Sequence, residues 1–272
     1  MKLTIITINL NNRDGLRRTM ESVVSQTCQD FEYVVIDGGS TDGSREVILE
    51  HQERLAYWCS EPDRGIYNAM NKGVTHATGD YCLFLNSGDY LYNKDVVKEV
   101  FPELDGRYDI VYGSIRMVDI DGKICIFKNE FRHDTNSIHL IQDTIGHPAS
   151  FIKKGLLEKK PYNENYRIVS DRKFFLDCYF THHCSFHYID KIISFFSLGG
   201  ISNSGPKGLL KKETNDMMSK MFPTKLMEDI KLLDPELLYY WGQIPTSYRL
   251  RKTLIRMIAC IIKVYKLFKH IK

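Results

Sequence analysis

The sequence lacks several features that would place it in a specialised class of protein. Seven cysteines are scattered along 272 residues and none belongs to a CxxC pair, which argues against a disulfide-stabilised secreted domain and favours a reducing compartment. No run of 18 apolar residues occurs and no export signal is visible, so neither a membrane span nor a leader is expected. With 43% hydrophobic and 26% charged residues, the composition is that of a globular protein with a substantial core.

Three common sequence signatures of nucleotide-binding and hydrolytic enzymes are missing as well. The loop after the first predicted strand, NLNNRDG, lacks GxGxxG, and neither GxxxxGK[ST] nor GxSxG occurs. These absences argue against a nicotinamide or flavin enzyme, a P-loop phosphotransferase and a serine hydrolase. The net charge of +3 is too small to indicate nucleic acid, and no nucleic-acid partner is predicted.

The first half of the chain contains strand-like segments that alternate with helix-like segments. The predicted strands are residues 3–8, 31–37, 55–59 and 81–85, and the predicted helices are roughly 15–27, 43–54 and 66–77. Asp42 is the expected N-cap of the second helix. Because this alternation is typical of a parallel sheet covered by helices, an α/β fold is predicted. In such a sheet, ligands bind beyond the carboxyl ends of the strands.

The second half of the chain has a different pattern. Residues 109–118 and 123–128 flank the turn sequence DIDG and predict a hairpin. A helix is predicted at 170–181 and an extended segment at 186–198. From residue 206 onward the composition predicts helices.

Three aspartates, Asp37, Asp63 and Asp89, lie at or beyond the ends of predicted strands. Carboxylates at the mouth of a cleft suit hydrogen bonds to a base or ribose and ligation of a hard divalent cation. The alternative is that these aspartates only cap helices and turns.

Six longer segments keep one order along the chain. VVIDGGSTDGS, SEPDRGIYNAMNKGVTHATGDY and FLNSGD lie at the predicted strand ends, and HPASFIKKGLLEK, YRIVSDRKFFLDCYF and FFSLGGIS follow. Over roughly residues 3–203, they resemble the family 2 glycosyltransferases. The resemblance implies the GT-A fold, a mostly parallel α/β sheet flanked by helices, here with a C-terminal helical extension. It divides the chain into a donor-binding half at 1–120, an acceptor-side half at 121–205 and a helical tail at 206–272.

The resemblance also implies roles for individual residues. Asp171, at the start of a predicted helix, matches the acceptor-activating base of inverting members, and Asp89 would bind Mn²⁺ or Mg²⁺. His147 matches a position near the acceptor, with a turn-forming role as the alternative. Arg172 and Lys173 are expected to be solvated residues of the same helix as Asp171. The donor-binding positions implied in this way are Ile8, Asn9, Asp37, Asp63, Arg64, Asn71 and Asn86.

The chain departs from the family pattern at two places. Many members have Asp-Asp-Gly-Ser where this chain has Asp37-Gly38-Gly39-Ser40, so one base-contacting acid is absent. The metal motif, commonly Asp-x-Asp-Asp, is Asn86-Ser87-Gly88-Asp89 and keeps a single carboxylate. The resemblance therefore constrains the donor base and the metal affinity less than it constrains the fold.

The C-terminal segment 249–272 contains eight Lys or Arg residues and no acid. On a helix, most of these cations fall on one face, and apolar residues fill much of the remainder. This pattern is typical of a helix lying in a membrane interface above anionic headgroups. The alternative is a terminal helix packed on the body. The predicted location is cytoplasmic, peripheral on the inner face of the membrane.

These observations together predict an inverting glycosyltransferase. It would move a sugar from a nucleoside diphosphate sugar, with UDP favoured, to a saccharide or lipid-linked acceptor in cell-surface polysaccharide assembly. Such transfer needs a diphosphate leaving group stabilised by a divalent cation and an acceptor hydroxyl deprotonated by a carboxylate. Two alternatives stay open: a nucleotidyltransferase on a similar sheet, and a non-catalytic nucleotide-sugar-binding or scaffold protein.

Overall fold

The computed structural model describes residues 2–119, 123–128, 135–200, 206 and 208–231. Nine strands lie within these residues. They are β1 (Leu3–Asn9), β2 (Phe31–Asp37), β3 (Tyr57–Ser60), β4 (Tyr81–Phe84), β5 (Tyr90–Leu91), β6 (Ile110–Val118), β7 (Ile124–Lys128), β8 (Ser150–Lys153) and β9 (Phe186–Ser197).

The described residues also form nine α-helices and three short 3₁₀ turns. The helices are α1 (Arg13–Val24), α2 (Ser44–Glu50), α3 (Ile66–His76), α4 (Val96–Val100), α5 (Ser137–Gln142), α6 (Lys154–Lys159), α7 (Ser170–Phe180), α8 (Leu209–Met221) and α9 (Thr224–Lys231). The 3₁₀ turns are Gln52–Arg54, Phe101–Glu103 and His147–Ala149.

All nine strands join one sheet in the order β3-β2-β1-β4-β8-β6-β9-β5, with β7 paired to β6. β1 pairs in parallel with β2 and β4, and β2 pairs in parallel with β3. The antiparallel pairs all include a strand of the second half. The expected α/β fold, a mostly parallel sheet flanked by helices with helices at its C-terminal side, is confirmed.

Alternation along the central strands gives the sheet two apolar faces. Ile6 of β1 and Val34 of β2 pack in one buried cluster with α3 and α7. Ile5 and Tyr33, one position earlier, pack in the other cluster with α1 and α2. Because successive side chains of a strand point to opposite faces, strands buried on both faces read as continuous apolar runs.

The α2 terminus differs from the sequence-based expectation that Asp42 is its N-cap. The helix begins at Ser44, and Gly43 occupies the cap position with φ of 94°. Asp42 instead stabilises the turn, because its Oδ1 accepts a hydrogen bond from the backbone N–H of Ser44 at 3.1 Å. Its Oδ2 accepts another from the N–H of Arg13 at 2.8 Å, which ties the α2 turn to the start of α1.

Helix α8 packs directly on the body of the protein. Met217 and Met218 belong to the buried cluster of α3 and α7, and the ring of Phe222 lies 5.0 Å from that of Phe180. Among the residues that the structure describes, no helix is long and apolar enough to cross a membrane. The predicted basic helix at 249–272 lies outside the described residues, and the domain boundaries at 120 and 205 stay predictions.

Candidate active site

The carboxyl ends of β1, β2 and β3 bring three polar residues abreast at one edge of the sheet. Asn9 is the register partner of Asp37, and Asp37 is the register partner of Ser60. This arrangement follows from parallel pairing, which places the ends of neighbouring strands together. These polar residues therefore lie side by side at the edge where sheets of this kind bind their ligands.

Asp37 is fully buried and organises this edge through four hydrogen bonds. Its Oδ1 accepts from Asn9 Nδ2 at 2.7 Å and from Ser40 Oγ at 2.5 Å. Its Oδ2 accepts from the Ser40 N–H at 2.9 Å and from Ser60 Oγ at 2.6 Å. Burial alone would raise the pKa of Asp37, but these hydrogen bonds outweigh burial and hold the pKa below its usual value.

Asp63 and Arg64 occupy the turn that leads into α3. The Oδ1 atom of Asp63 accepts a hydrogen bond from the Gly65 N–H at 2.8 Å. The guanidinium of Arg64 is exposed and pairs with Glu164 Oε2 at 2.8 Å. Asn68 Nδ2 donates to the same Glu164 oxygen at 3.1 Å. Glu164 therefore connects the turn before α3 to the segment that precedes α7.

The segment Asn86–Asp89 follows β4 and forms a tight turn. Asp89 is 5% exposed, and its Oδ1 accepts a hydrogen bond from the Ser197 N–H at 2.9 Å. Burial raises the pKa of Asp89 to about 7. Gly88 has φ of 104°, a backbone conformation that side chains rarely adopt. This φ gives a physical reason why position 88 carries glycine and not the second acid of the family motif.

The turn offers oxygen ligands that suit a hard cation. Asn86 Oδ1 is buried and accepts no hydrogen bond from the described residues. Asp89 follows three residues later, and its N–H donates to the Asn86 carbonyl at 2.9 Å. Carboxylate and amide oxygens, together with phosphates and water, are ligands that Mg²⁺ and Mn²⁺ accept. Within the described residues, no group of three His, Cys, Asp or Glu side chains could hold a metal on its own.

Asp171 lies in the first turn of α7 and contacts Tyr67 of α3. The Tyr67 hydroxyl lies 2.9 Å from Asp171 Oδ1 and 2.6 Å from the carbonyl oxygen of Ile168. Burial, reinforced by the Asp171 charge, raises the pKa of Tyr67 well above its usual value, so this hydroxyl stays protonated. Tyr67 therefore shares its single hydroxyl hydrogen between the Ile168 carbonyl and the Asp171 carboxylate, and this contact orients the carboxylate.

His147 lies in a buried group of aromatic side chains. Its Nε2 lies 2.8 Å from the Tyr162 hydroxyl, and its ring stacks on Phe84 with centroids 5.0 Å apart. His147 is 7% exposed, and burial lowers its pKa. It also begins the 3₁₀ turn before β8, so the structure gives it the turn position that sequence reasoning offered as an alternative.

Two predicted donor-binding residues have structural contacts in this arrangement. The side chain of Ile8 belongs to the buried core, and its carbonyl accepts from the Ser87 N–H at 3.0 Å. The amide of Asn71 donates to the Tyr162 carbonyl at 2.9 Å and accepts from the Tyr162 N–H at 2.9 Å. Their contact with a donor stays a prediction.

Arg172 and Lys173 are not the freely solvated residues that the helical pattern predicts. Arg172 is partly buried, and it donates to the carbonyl oxygen of Ile141 at 2.7 Å. Lys173 forms an ion pair with Asp177 one turn along α7. The sequence pattern fails here because α5, which covers this face of α7, could not be predicted.

Sequence reasoning missed the residues that hold the predicted ones in place. Tyr67, Glu164, Ser60 and Ser197 all contact site residues through hydrogen bonds. The available signal for Tyr67 was its position two residues after Gly65, inside a segment that the family resemblance covers. Ser197 donates through its backbone, so its residue type carried no signal.

Residues 4–180 match the model of the family described as Glycosyl transferase family 2. The chain belongs to this family. The match covers both the polar strand ends and the start of α7, and it confirms the resemblance and the enzyme class that the sequence predicts.

Curated relatives agree with this membership. A Mycobacterium tuberculosis protein named as an uncharacterized glycosyltransferase is 35% identical over 183 residues, which are 64% of this chain and 67% of the relative. A PGL/p-HBAD biosynthesis glycosyltransferase of Mycobacterium bovis is 33% identical over 209 residues, covering 74% of this chain and 79% of the relative.

Solved structures share the fold at low sequence identity. Residues 1–349 of Staphylococcus aureus TarS, in complex with UDP-GlcNAc, match with a TM-score of 0.61 at 20% identity, over 76% of this chain and 61% of that one. A mannosyltransferase of Pyrobaculum calidifontis, in complex with GDP-Man and Mn²⁺, matches with a TM-score of 0.51 at 16% identity, over 71% and 56%. This chain thus spans about three fifths of each solved structure.

Proposed function

We propose that this protein is an inverting glycosyltransferase that moves a sugar from a nucleoside diphosphate sugar to a saccharide or lipid-linked hydroxyl. One observation carries the proposal. Helix α3 begins at the donor edge, in the turn of Asp63 and Arg64, and its Tyr67 contacts Asp171 within the next turn. A carboxylate able to accept a proton is therefore held against the first turn of the helix that follows the proposed donor edge.

The chemistry requires one proton transfer and one displacement. Asp171 accepts the proton of the acceptor hydroxyl while that oxygen attacks the anomeric carbon. The bond from this carbon to the diphosphate breaks in the same step, so a single displacement inverts the configuration. Tyr67 fixes one carboxylate oxygen of Asp171, which leaves the other oxygen for the acceptor.

Asp89 and the orphaned Asn86 Oδ1 are the residues that would hold a divalent cation, Mn²⁺ or Mg²⁺. Such an ion supplies Lewis-acid stabilisation of the departing diphosphate. Asn86 could add only a neutral oxygen, so Asp89 carries the charge by which the protein binds the ion. The Ser197 N–H orients the Asp89 carboxylate through Oδ1.

UDP is the favoured nucleotide of the donor, and TarS in complex with UDP and UDP-GlcNAc supports this choice. The PGL biosynthesis relative supports an acceptor attached to a lipid. Residues 1–120 would bind the donor and residues 121–205 would form the acceptor side. Asp37 would stabilise the donor edge, with its neighbours Asn9 and Ser60.

The test is a panel of nucleotide sugars measured for binding and hydrolysis with Mn²⁺, with Mg²⁺ and with a chelator. We expect a UDP-sugar to bind more tightly with metal. Asp89→Asn should abolish this metal-dependent part, whereas Asp30→Asn, which removes an exposed acid before β2, should leave it unchanged. Titrations of Asp89→Asn that match the unaltered protein would refute the metal assignment, and no binding of any nucleotide sugar would refute the function.

A further inference from the structure

The acid that ends β2 has no spare hydrogen-bonding capacity. An ionised carboxylate offers about four lone-pair positions, and Asp37 already accepts four hydrogen bonds from Asn9, Ser40 and Ser60. It is also 0% exposed. Asp37 therefore stabilises the strand ends and is unavailable to a ligand in this arrangement.

Asp63 supplies a free carboxylate oxygen at the same place. Its Oδ1 accepts from the Gly65 N–H, and among the described residues no donor reaches its Oδ2. A Cβ atom added to Gly38 would lie 2.6 Å from this Oδ2, closer than real Cβ contacts allow. The Asp63 carboxylate thus occupies the space beside residue 38 where a side chain at that position would begin.

Two further residues lie beside Gly38: Leu10, and Asn9, whose carbonyl oxygen accepts a hydrogen bond from the Gly38 N–H at 2.9 Å. Leu10 is 57% exposed, and its Cδ1 would lie 3.3 Å from the same added Cβ, so an apolar surface borders the Asp63 oxygen. Asn9 is 4% exposed, yet its Oδ1 accepts no hydrogen bond within the described residues. The Asn9 amide cannot be reversed, because its Nδ2 donates to Asp37 and the reverse orientation would oppose two oxygens.

We propose that Asp63 is the residue that reads the nucleobase of the donor, in place of an acid at position 38, and that it selects bases with a ring N–H. This inference rests on the proposed function and deepens it. Leu10 supplies an apolar contact for the face of the base, and Asp63 Oδ2 accepts the ring N–H. Glycine at position 38 keeps the space open that the Asp63 carboxylate occupies.

The selection among bases follows from whether each group donates or accepts a hydrogen bond. The free group at this place, Asp63 Oδ2, is an acceptor only, and the buried Asn9 Oδ1 adds no donor. Uracil presents N3–H and guanine presents N1–H, whereas the corresponding nitrogens of cytosine and adenine are acceptors. When two hydrogen-bond acceptors face each other, both stay unpaired. The binding free energy lost in this way is larger than the loss from a poorly aligned hydrogen bond.

Asp63→Asn gives a sharp test, because the fold fixes the orientation of the new amide. The Gly65 N–H requires an oxygen at the Oδ1 position, so Nδ2 must take the place of Oδ2. The acceptor becomes a donor at nearly constant shape. By calorimetric titration, we expect UDP affinity to fall about 10- to 100-fold, as for a lost hydrogen bond to a charged group, while CDP affinity rises relative to UDP.

Glu61→Gln is the matched control, because it removes one negative charge from the same segment at an exposed position. It should leave the ratio of UDP to CDP affinity unchanged. Gly38→Ala tests the steric part. Gly38 lies outside the left-handed region, so alanine adds no backbone strain, but its Cβ must displace the Asp63 carboxylate. Gly38→Ala should weaken UDP binding when it is the single substitution, and it should have little effect when it is combined with Asp63→Asn.

The outcomes separate this proposal from the function on which it rests. UDP binding that is equal in the unaltered protein and in Asp63→Asn overturns the role of Asp63 and leaves the glycosyltransferase function standing. An equal loss from Gly38→Ala in both backgrounds overturns the role too, because it indicates a distorted loop. If the unaltered protein binds no nucleoside diphosphate, both the proposed function and the role of Asp63 fall.

Discussion

The contact between Asp171 and Tyr67 leads us to a prediction about turnover. Asp171→Asn should lower kcat by about 10²–10⁴-fold, the usual loss when a general base is removed. Donor affinity should stay nearly constant, because the contact of Asp171 is Tyr67 and not the strand ends. Turnover at saturating donor and a separate donor titration measure the two effects.

Asp177→Asn is the matched control for this prediction. It removes an acid from the same helix, two turns further along, where the carboxylate pairs with Lys173. This variant should retain turnover. A result in which Asp171→Asn weakens donor binding and leaves turnover unchanged would assign Asp171 to the donor side.

The role of a site residue could be predicted from the sequence only when a short surrounding segment indicates that role. Asp37, Asp89 and Asp171 could be singled out because each lies in a short segment that resembles a family motif. Tyr67 lies in such a segment too, but its role could not be assigned, because its contact with Asp171 spans 104 positions of the chain. The saturation of Asp37 was equally hidden, since two of its four donors come from β1 and β3.

Helix α8 makes a prediction at the level of elements, through the buried side chain of Glu213. Its Oε1 accepts from the Arg167 N–H at 2.8 Å and its Oε2 from the Ile168 N–H at 2.9 Å. These backbone amides lie just before α7. Glu213 therefore holds in place the segment that leads into the helix carrying Asp171. Glu213→Ala would leave the buried Ile168 N–H unpaired, at a cost of about 1–3 kcal/mol, and would remove the hydrogen bond of the part-buried Arg167 N–H as well.

We therefore expect Glu213→Ala to lower both the free energy of unfolding and kcat, while donor affinity changes little. Urea unfolding, turnover and donor titration distinguish these effects. Lys212→Ala, an exposed neighbour on α8, is the control and should change none of them. Weaker donor binding as the main defect would contradict a role restricted to α7.

Glu32 of β2 leads us to a prediction about how the stability of the protein depends on pH. Burial alone would raise the pKa of Glu32, but hydrogen bonds from Lys2, Thr78 and Thr4 outweigh it and lower the pKa to about 2. The folded pKa is below that of the unfolded chain. The stabilisation is therefore fully present above about pH 4.3 and is lost as the pH falls toward about 2.

Glu32→Gln should lower the melting temperature at pH 7, and its difference from the unaltered protein should shrink between about pH 4 and 3. Thermal unfolding over this pH series measures the effect. Glu21→Gln, at an exposed position of α1, should follow the unaltered protein throughout. A difference that stays constant down to pH 3 would show that the carboxylate charge of Glu32 is not the cause.

Element prediction succeeded where burial dictates a long pattern. β1 and β2 are apolar on both faces, and their ends differ from the predicted ones by at most one residue. Helix α5 and helix α6 have only six residues each, too few for a periodic pattern to emerge. Their formation depends on packing against α7 and α3, which the sequence alone does not display.

The sheet of the whole molecule joins a parallel half to a mixed half across β4 and β8. In the mixed half, β6 and β9 pair in parallel and the other pairs are antiparallel. The parallel half was predictable, because strand–helix alternation determines it. The pairing of β6 with β7 was also predicted, as the hairpin of residues 109–118 and 123–128. The pairing of β6 with β8 and β9 was not, because these two strands follow β6 in the chain by at least 30 residues. Such pairings arise from tertiary packing and leave no local pattern.

The charge of segment 249–272 predicts that the whole molecule attaches peripherally to a membrane. Eight cations without an acid should each gain about 1 kcal/mol near an anionic surface, and this attraction is screened by salt. Replacing Arg256, Lys263 and Lys266 with Gln should strongly reduce co-sedimentation with vesicles rich in phosphatidylserine, whereas replacing the exposed Lys94, Lys98 and Lys211 should not. Donor binding should survive both changes, because none of these residues is among those assigned to the donor. If the unaltered protein ignores such vesicles at low salt, the segment packs on the protein body instead.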